Sequence, residues 1–305
     1  MDDLAILFAR PHCGGDGEDR FELEVLAAEE LGIESWAIPL DPIVNGDAER
    51  ALRRLPRPSG RRWLYRGWMI DEEEYTALYE AMSERGEELV VDPESFALTT
   101  YAPNHFALLG EHTAPACWTE GEDITEAWEL AQALGPPPWI VKDHVKSAKE
   151  DWHRACFVPE GAGYEDFAAI CERLIELRGD RFARGLVVKQ HLDLATLPGF
   201  TPERRPVTDE HRLLFWEGRL VANAPYYDVD SELEDPAQFA FLGLRIDSPF
   251  FAADVARLAG GGWTVIELND GGSVVLPESL DPRDLYRAMT GGHFPSAGGV
   301  RLGRS

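Results

Sequence analysis

Residues 263–270 read WTVIELND. Apolar and polar side chains alternate, which marks a half-buried β-strand, and the period of two puts Glu267 and Asn269 on one face with Leu268 on the other. Just upstream, FFAADVARL (250–258) reads as a partner strand carrying Asp254. The pair offers two carboxylates and an amide oxygen, a hard oxygen set suited to Mg2+ chelated by nucleotide phosphates. Asp270-Gly271-Gly272 then forms a turn that lets the backbone approach closely. A hairpin with polar strand ends is the plainer account of the same residues.

Three further segments gain meaning beside this one. In DEHRLLFWEGRL (209–220), Glu210 and Arg212 share one face of a strand. The guanidinium suits an anionic oxygen, and a cross-strand ion pair is the structural alternative. In GLVVKQHLDL (185–194), Lys189 ends an apolar strand whose backbone can meet an adenine edge; a lysine that merely terminates a strand is the alternative. In VKDHVKSAK (141–149), Lys142 sits inside an apolar strand and needs a partner for its ammonium. Lys146, Ser147 and Lys149 follow in a loop able to grip phosphate by charge and hydroxyl. An edge lysine paired with Asp143 and a solvated basic loop would explain the same letters. No GxxxxGK[ST] is present, so the loop is not a P-loop, and GGDGED (14–19) is a strand-to-helix loop rather than GxGxxG.

The amino-terminal part alternates strand and helix: LAILFAR (4–10), DRFELEVLAAEELG (19–32), WAIPL (36–40), RWLYRGW (62–68), DEEEYTALYEAMSERG (71–86) and ELVVD (88–92). That alternation predicts a parallel sheet covered by helices, with PACWT (115–119) as its last strand. After the helix GEDITEAWELAQALG (121–135) and PPP (136–138), WIVKDHV (139–145) and DWHRACFV (151–158) suggest a hairpin. A helix over 164–179, a Pro-rich loop over 198–206, two strands joined by Glu217-Gly218, a closing helix over 281–289 and a mobile Gly-rich tail (291–305) complete the expectation. The class is α/β, with α+β character in the carboxy-terminal half.

Composition narrows the partners. The chain has 305 residues, 44% of them apolar, enough for a large core and about two domains. Its net charge of −26 opposes nucleic acid and anionic membranes. No apolar run reaches the roughly 20 residues that span a bilayer. Cys13, Cys117, Cys156 and Cys171 form no CxxC pair, which fits reduced thiols, and Asp2 and Asp3 stand where a signal peptide would be basic. The expectation is a cytoplasmic protein, compatible with a homodimer.

In this order the segments resemble the ATP-grasp superfamily over roughly the whole chain. The resemblance implies a Rossmann-like pre-ATP-grasp domain (1–119), a lid (120–189) and a nucleotide- and metal-binding unit (190–305). Lys142 matches the lid lysine on the ATP phosphates, with Lys146 and Ser147 in the loop behind it. Lys189, Gln190, His191 and Leu192 match the hinge beside adenine, with Glu210 also on the nucleotide. Arg212 matches the arginine before a "dG" turn, and Asp254, Glu267 and Asn269 match the Mg2+ ligands of the "ExN" strand. YRGWM (65–69) and WIVKDHVKSAKEDW (139–152) further resemble a small bacterial clade characterised by one arginine and two lysines. The implied reaction uses ATP and Mg2+: a carboxylate, on a small molecule or a peptide, becomes an acyl phosphate that an amine captures, releasing ADP and phosphate. Lys142, Lys146 and Arg212 would serve the transfer. A kinase on the same fold and a nucleotide-binding regulatory module are the alternatives. The basic loop replaces a glycine-rich one, and no amino-acid-binding signature is present.

Overall fold

The most apolar part of the first segment, Ala5–Ala9, is completely withdrawn from solvent and forms the centre of a parallel sheet. The computed structural model describes residues 4–11, 20–56 and 60–291. β1 (Leu4–Arg10), β2 (Glu34–Pro39), β3 (Arg62–Gly67) and β4 (Glu88–Leu89) pair in the order β2-β1-β3-β4. The helix Glu22–Leu31 ends at Gly32, whose φ of 68° a side chain would resist. Glu72–Glu84 starts from a capping box in which the Asp71 and Glu74 side chains each accept the other's backbone N–H at 2.8 Å. The strand expected over 88–92 is cut to Glu88–Leu89, because Asp92 caps a new helix, Pro93–Thr100, by accepting from the Ser95 N–H. That helix and its successor Ala102–Leu109 were not apparent in the sequence. GGDGED, Cys13 and all of the glycine-rich tail after Gly291 lie outside the described residues.

A second, antiparallel sheet follows. It contains β5 (Ala116–Trp118), β6 (Trp139–Asp143), β7 (Phe157–Val158) and β8 (Leu186–Gln190) in the order β5-β8-β6-β7. PACWT therefore does not close the first sheet: Ala116–Trp118 hydrogen-bonds to β8 and belongs to the second. The expected hairpin survives only as Trp139↔Val158 and Ile140↔Phe157, since Trp152–Ala155 coils into a helical turn. Trp139, Val141, Leu186 and Val188 point into a core shared with the helix Tyr164–Arg178. By alternation, Ile140, Lys142, Val187 and Lys189 occupy the opposite face.

The Pro-rich loop is in fact a small hairpin of β9 (Thr196–Phe200) and β10 (Pro206–Thr208). Pro198 and Pro206 are tolerated because this two-stranded ribbon is all edge. The last sheet is antiparallel, with β11 (Glu210–Trp216), β12 (Arg219–Pro225), β13 (Phe250–Arg257) and β14 (Trp263–Asp270) in the order β12-β11-β13-β14. Glu217 and Gly218, both at positive φ, make the expected tight turn. One face of this sheet sends Leu214, Trp216, Phe250 and Ala252 into the core of the first sheet. The other buries Leu213, Phe215, Ala253, Val255, Val265 and Leu268. The architecture is mixed α/β, as expected.

Candidate active site

A bulge between Asp254 and Val255 takes Ile266 out of register, so Val265 and Leu268 both face the core while Glu267 faces away from it. Arg212, Asp254 and Glu267 then form one row across three strands, through Arg212↔Asp254 and Asp254↔Glu267. Arg212 is joined to Asp254 by two parallel 2.8 Å bonds, donates to the Val275 carbonyl at 2.8 Å and lies 4.9 Å from the Tyr226 ring. Burial opposes the Arg212 charge, but Asp254 outweighs it and raises its pKa. The ion pair is thus with Asp254, while Glu210 accepts instead from the Thr208 hydroxyl.

Facing this row, the second sheet delivers lysines. Lys142 Nζ stands 3.5 Å and Lys149 Nζ 4.0 Å from the Glu267 carboxylate. Lys142 does not pair with Asp143. That carboxylate is fully buried and accepts from the Val145 and Lys146 N–H groups and from Arg178, which organises the basic loop. Lys189 donates to the Ile266 carbonyl at 2.8 Å and to Thr113 at 3.3 Å. Burial disfavours ionised Glu267, but Lys149, Lys142, Lys146 and Arg212 together hold its carboxyl well below the usual range. Lys149 is raised in turn, chiefly by Glu267. Burial lowers Lys146, and burial together with Lys142 lowers Lys189 to about 8.

Between the two sheets lies a cleft of 430 Å³. Lys142, Ser147, Lys189, Gln190, His191, Leu192 and Glu210 line it, together with Glu267. Lys146, Arg212, Asp254 and Asn269 do not. The Gln190 and His191 N–H groups are already donated to the Pro115 and Pro138 carbonyls. Sequence reasoning passed over His105, whose pKa burial lowers to about 4, and Thr113, Trp152, Arg205 and Tyr227, all of which line the cleft. One signal was available: of 29 basic residues only four are lysines, and Lys142, Lys146, Lys149 and Lys189 all gather around Glu267. Arginine carries positive charge everywhere else, so lysine is kept where a compact, rotatable ammonium is needed.

Among the described residues, no group of three or more His, Cys, Asp or Glu side chains is placed to hold a metal ion. The oxygen set here is two carboxylates and an amide. Asn269 Nδ2 is buried without a hydrogen-bond partner, and turning the amide would present its oxygen at the same point. Each Asp254 oxygen has a lone pair beyond the one that Arg212 uses. The donors fit a hard divalent cation. The thiols of Cys117, Cys156 and Cys171 are unpaired and pushed up by burial, which keeps them protonated.

Residues 129–289 match the family described as ATP-grasp domain, family 3 of the clade of one arginine and two lysines, and the chain, more than half of which lies in that span, belongs to it. D-cycloserine synthetase DcsG is similar in structure at 15% identity, with a TM-score of 0.60 over 94% of this chain and 99% of that one. A RimK domain ATP-grasp protein from Sphaerobacter thermophilus superposes at 14% identity and a TM-score of 0.58, over 94% and 98% of the two chains. The ATP-grasp ligase PsnB, complexed with a minimal precursor, Mg and ADP, gives 14% and 0.57 over 95% and 98%. At such identities the likeness establishes the fold. No curated protein matches the sequence. Among the described residues, no helix is long and apolar enough to cross a membrane.

Proposed function

We propose that the protein is an ADP-forming carboxylate–amine ligase that works through an acyl phosphate. The observation that carries this reading is the gathering of all four lysines around Glu267 at a cleft between two antiparallel sheets. Four ammonium groups against one carboxylate leave an excess of positive charge, suited to a polyphosphate. In this reading residues 1–119, less the strand Ala116–Trp118, form the pre-ATP-grasp domain. Residues 120–189 are the lid and 190–305 bind nucleotide and metal.

Adenine would lie along Gln190, His191 and Leu192, with Lys189 and Glu210 beside the nucleotide. Lys142 and Ser147 would bind the phosphates. Asp254, Glu267 and Asn269 would hold Mg2+, which when bound offsets charge on the phosphate oxygens. Lys142, Lys146 and Arg212 would steady the γ-phosphoryl group as a substrate carboxylate attacks it, a step in which positioning and electrostatics carry most of the catalysis. Closure of the 145–149 loop would keep water from the acyl phosphate. The complexes of PsnB with Mg, ADP and a precursor support a nucleotide, a metal and a peptide-sized substrate on this fold. The arginine and two lysines of the clade are, on this reading, Arg212, Lys142 and Lys189.

The test is chemical. Incubation with ATP, Mg2+, a panel of carboxylates and hydroxylamine should give a hydroxamate together with equal amounts of ADP and phosphate. ADP formed with a phosphorylated hydroxyl product, and no hydroxamate, would replace the ligase by a kinase.

A further inference from the structure

Of the cleft's cations, two have no carboxylate. Arg204 and Arg205 project from the turn between β9 and β10 and line the mouth of the cleft. Among the described residues, neither forms an ion pair, although Asp and Glu outnumber Lys and Arg by 55 to 29. Arg205 Nε is buried without a hydrogen-bond partner, and its guanidinium lies 4.5 Å from the Trp152 ring. The ring fixes the plane of the guanidinium while leaving its N–H edge to be used by something else.

The backbone adds an independent sign. Arg204 has a φ of 61°, a left-handed conformation that glycine adopts freely and arginine does not. The turn is held by Arg204 N–H to the Thr201 carbonyl and Thr201 N–H to the Arg205 carbonyl, both 2.8 Å. A side chain kept where glycine would be easier points to a use for the side chain. Exposed Glu203 feels the field of Arg205 and Lys149, and Tyr227 feels Lys149 and Arg205 as well, so the two cations act on one region. That region adjoins Glu267 through Lys149.

Resting on the ligase reading, we propose that Arg204 and Arg205, with Trp152 as backing, form an anion subsite that binds a second carboxylate of the substrate, beyond the one that is activated. The substrate is then a polycarboxylate, either a small di- or tricarboxylic acid or an acidic stretch of peptide. Paired guanidinium groups match carboxylate oxygens two by two, which gives selection as well as attraction. In a chain this acidic, such a subsite is also needed to draw a polyanion in against the overall field.

The experiment uses the full chain saturated with ADP and excess Mg2+, so that the nucleotide site is filled. Tricarballylate and tetraglutamate are titrated separately by calorimetry, which distinguishes a free acid from a peptide. One of them should bind, and Arg204→Gly and Arg205→Gln should each weaken it by roughly 10-fold or more, as expected for losing a charge-assisted bond. Affinity for ADP should stay within about twofold, since neither arginine is assigned to the nucleotide. Arg204→Gly should leave the melting temperature nearly unchanged, because relieved strain and added unfolded-state freedom oppose each other. Absence of binding by both probes would overturn the subsite, as would an equal loss of ADP affinity in the variants. If a probe binds as described but no hydroxamate forms with any carboxylate, the ligase reading fails while the subsite stands.

Discussion

Lys142 and Glu267 are 125 residues apart in the chain and 3.5 Å apart in the fold. Each comes from a different sheet, and each lies on the face turned away from its own core. Neither charge is satisfied within its own strand. The pair exists only when the second and third sheets face one another, so the cleft and its electrostatics arise together. A polyphosphate entering the cleft can take over the lysines that Glu267 holds.

Lys142→Ala removes one phosphate-directed charge. A charge-assisted bond contributes about 1.5–3 kcal/mol, so affinity for a non-hydrolysable ATP analogue should fall roughly 10- to 150-fold. Calorimetric titration measures it directly. Unchanged affinity would take Lys142 out of the nucleotide site.

Lys189 offers a test through protons. Its folded pKa of about 8 lies below the ordinary lysine value of about 10.4, so between these the unfolded chain binds more protons. Lys189 should therefore make stability rise with pH from about 8 to about 10, a contribution absent in Lys189→Met. Phosphate nearby favours the charged amine, so nucleotide binding at pH 8 to 9 should take up protons. Titrations in buffers of different ionisation enthalpy would reveal this uptake. Wild type and Lys189→Met with the same pH profile of melting would show that the amine is not depressed.

How far the sequence foretold this site depends on the range of the interactions involved. The faces of β14 were legible because alternation is local, and Leu268 turned to the core as its position implied. The shift at Ile266 was not, since a bulge is set by the partner strand. Lys142 visibly needed a partner, yet neighbouring Asp143 was the wrong one, being already taken by loop N–H groups and Arg178. The assignment of Ala116–Trp118 failed for the same reason, because a three-residue strand carries no mark of the sheet it joins. Arg204 and Arg205 were hidden in a stretch whose prolines suggested a loop.

Arg66 joins the first sheet to the end of the site. It is wholly buried, paired with Glu24 through bonds of 2.7 and 2.6 Å, and it donates to the carbonyls of Gly271, Gly272 and Val274. Tyr286 also donates to Glu24, at 2.7 Å. Arg66→Met would leave Glu24 buried without its counter-charge, at a cost of about 3–5 kcal/mol. Denaturant melts should show that loss, and Arg66→Met with Glu24→Gln should recover much of it. A single variant as stable as the wild type would show that the pair is not structurally important.

The sharpest prediction separates chemistry from stability along one strand. Glu267→Gln keeps the shape of the side chain but removes the only carboxylate within 4.0 Å of Lys142 and Lys149 among the described residues. If Glu267 is a Mg2+ ligand, turnover should be lost and the metal dependence of nucleotide binding should vanish, while the fold persists. Asn269→Ala should weaken the metal dependence in the same direction, and it removes a buried amide nitrogen that has no partner to lose. Leu268→Ala lies between them and faces the core, so it should lower stability by about 2–5 kcal/mol and leave metal dependence intact. Nucleotide titrations across a range of Mg2+ concentrations, paired with thermal melts, distinguish the three variants. A Glu267→Gln protein with an unaltered Mg2+ response would remove the metal from this strand, and with it the strongest support for phosphoryl transfer at this cleft.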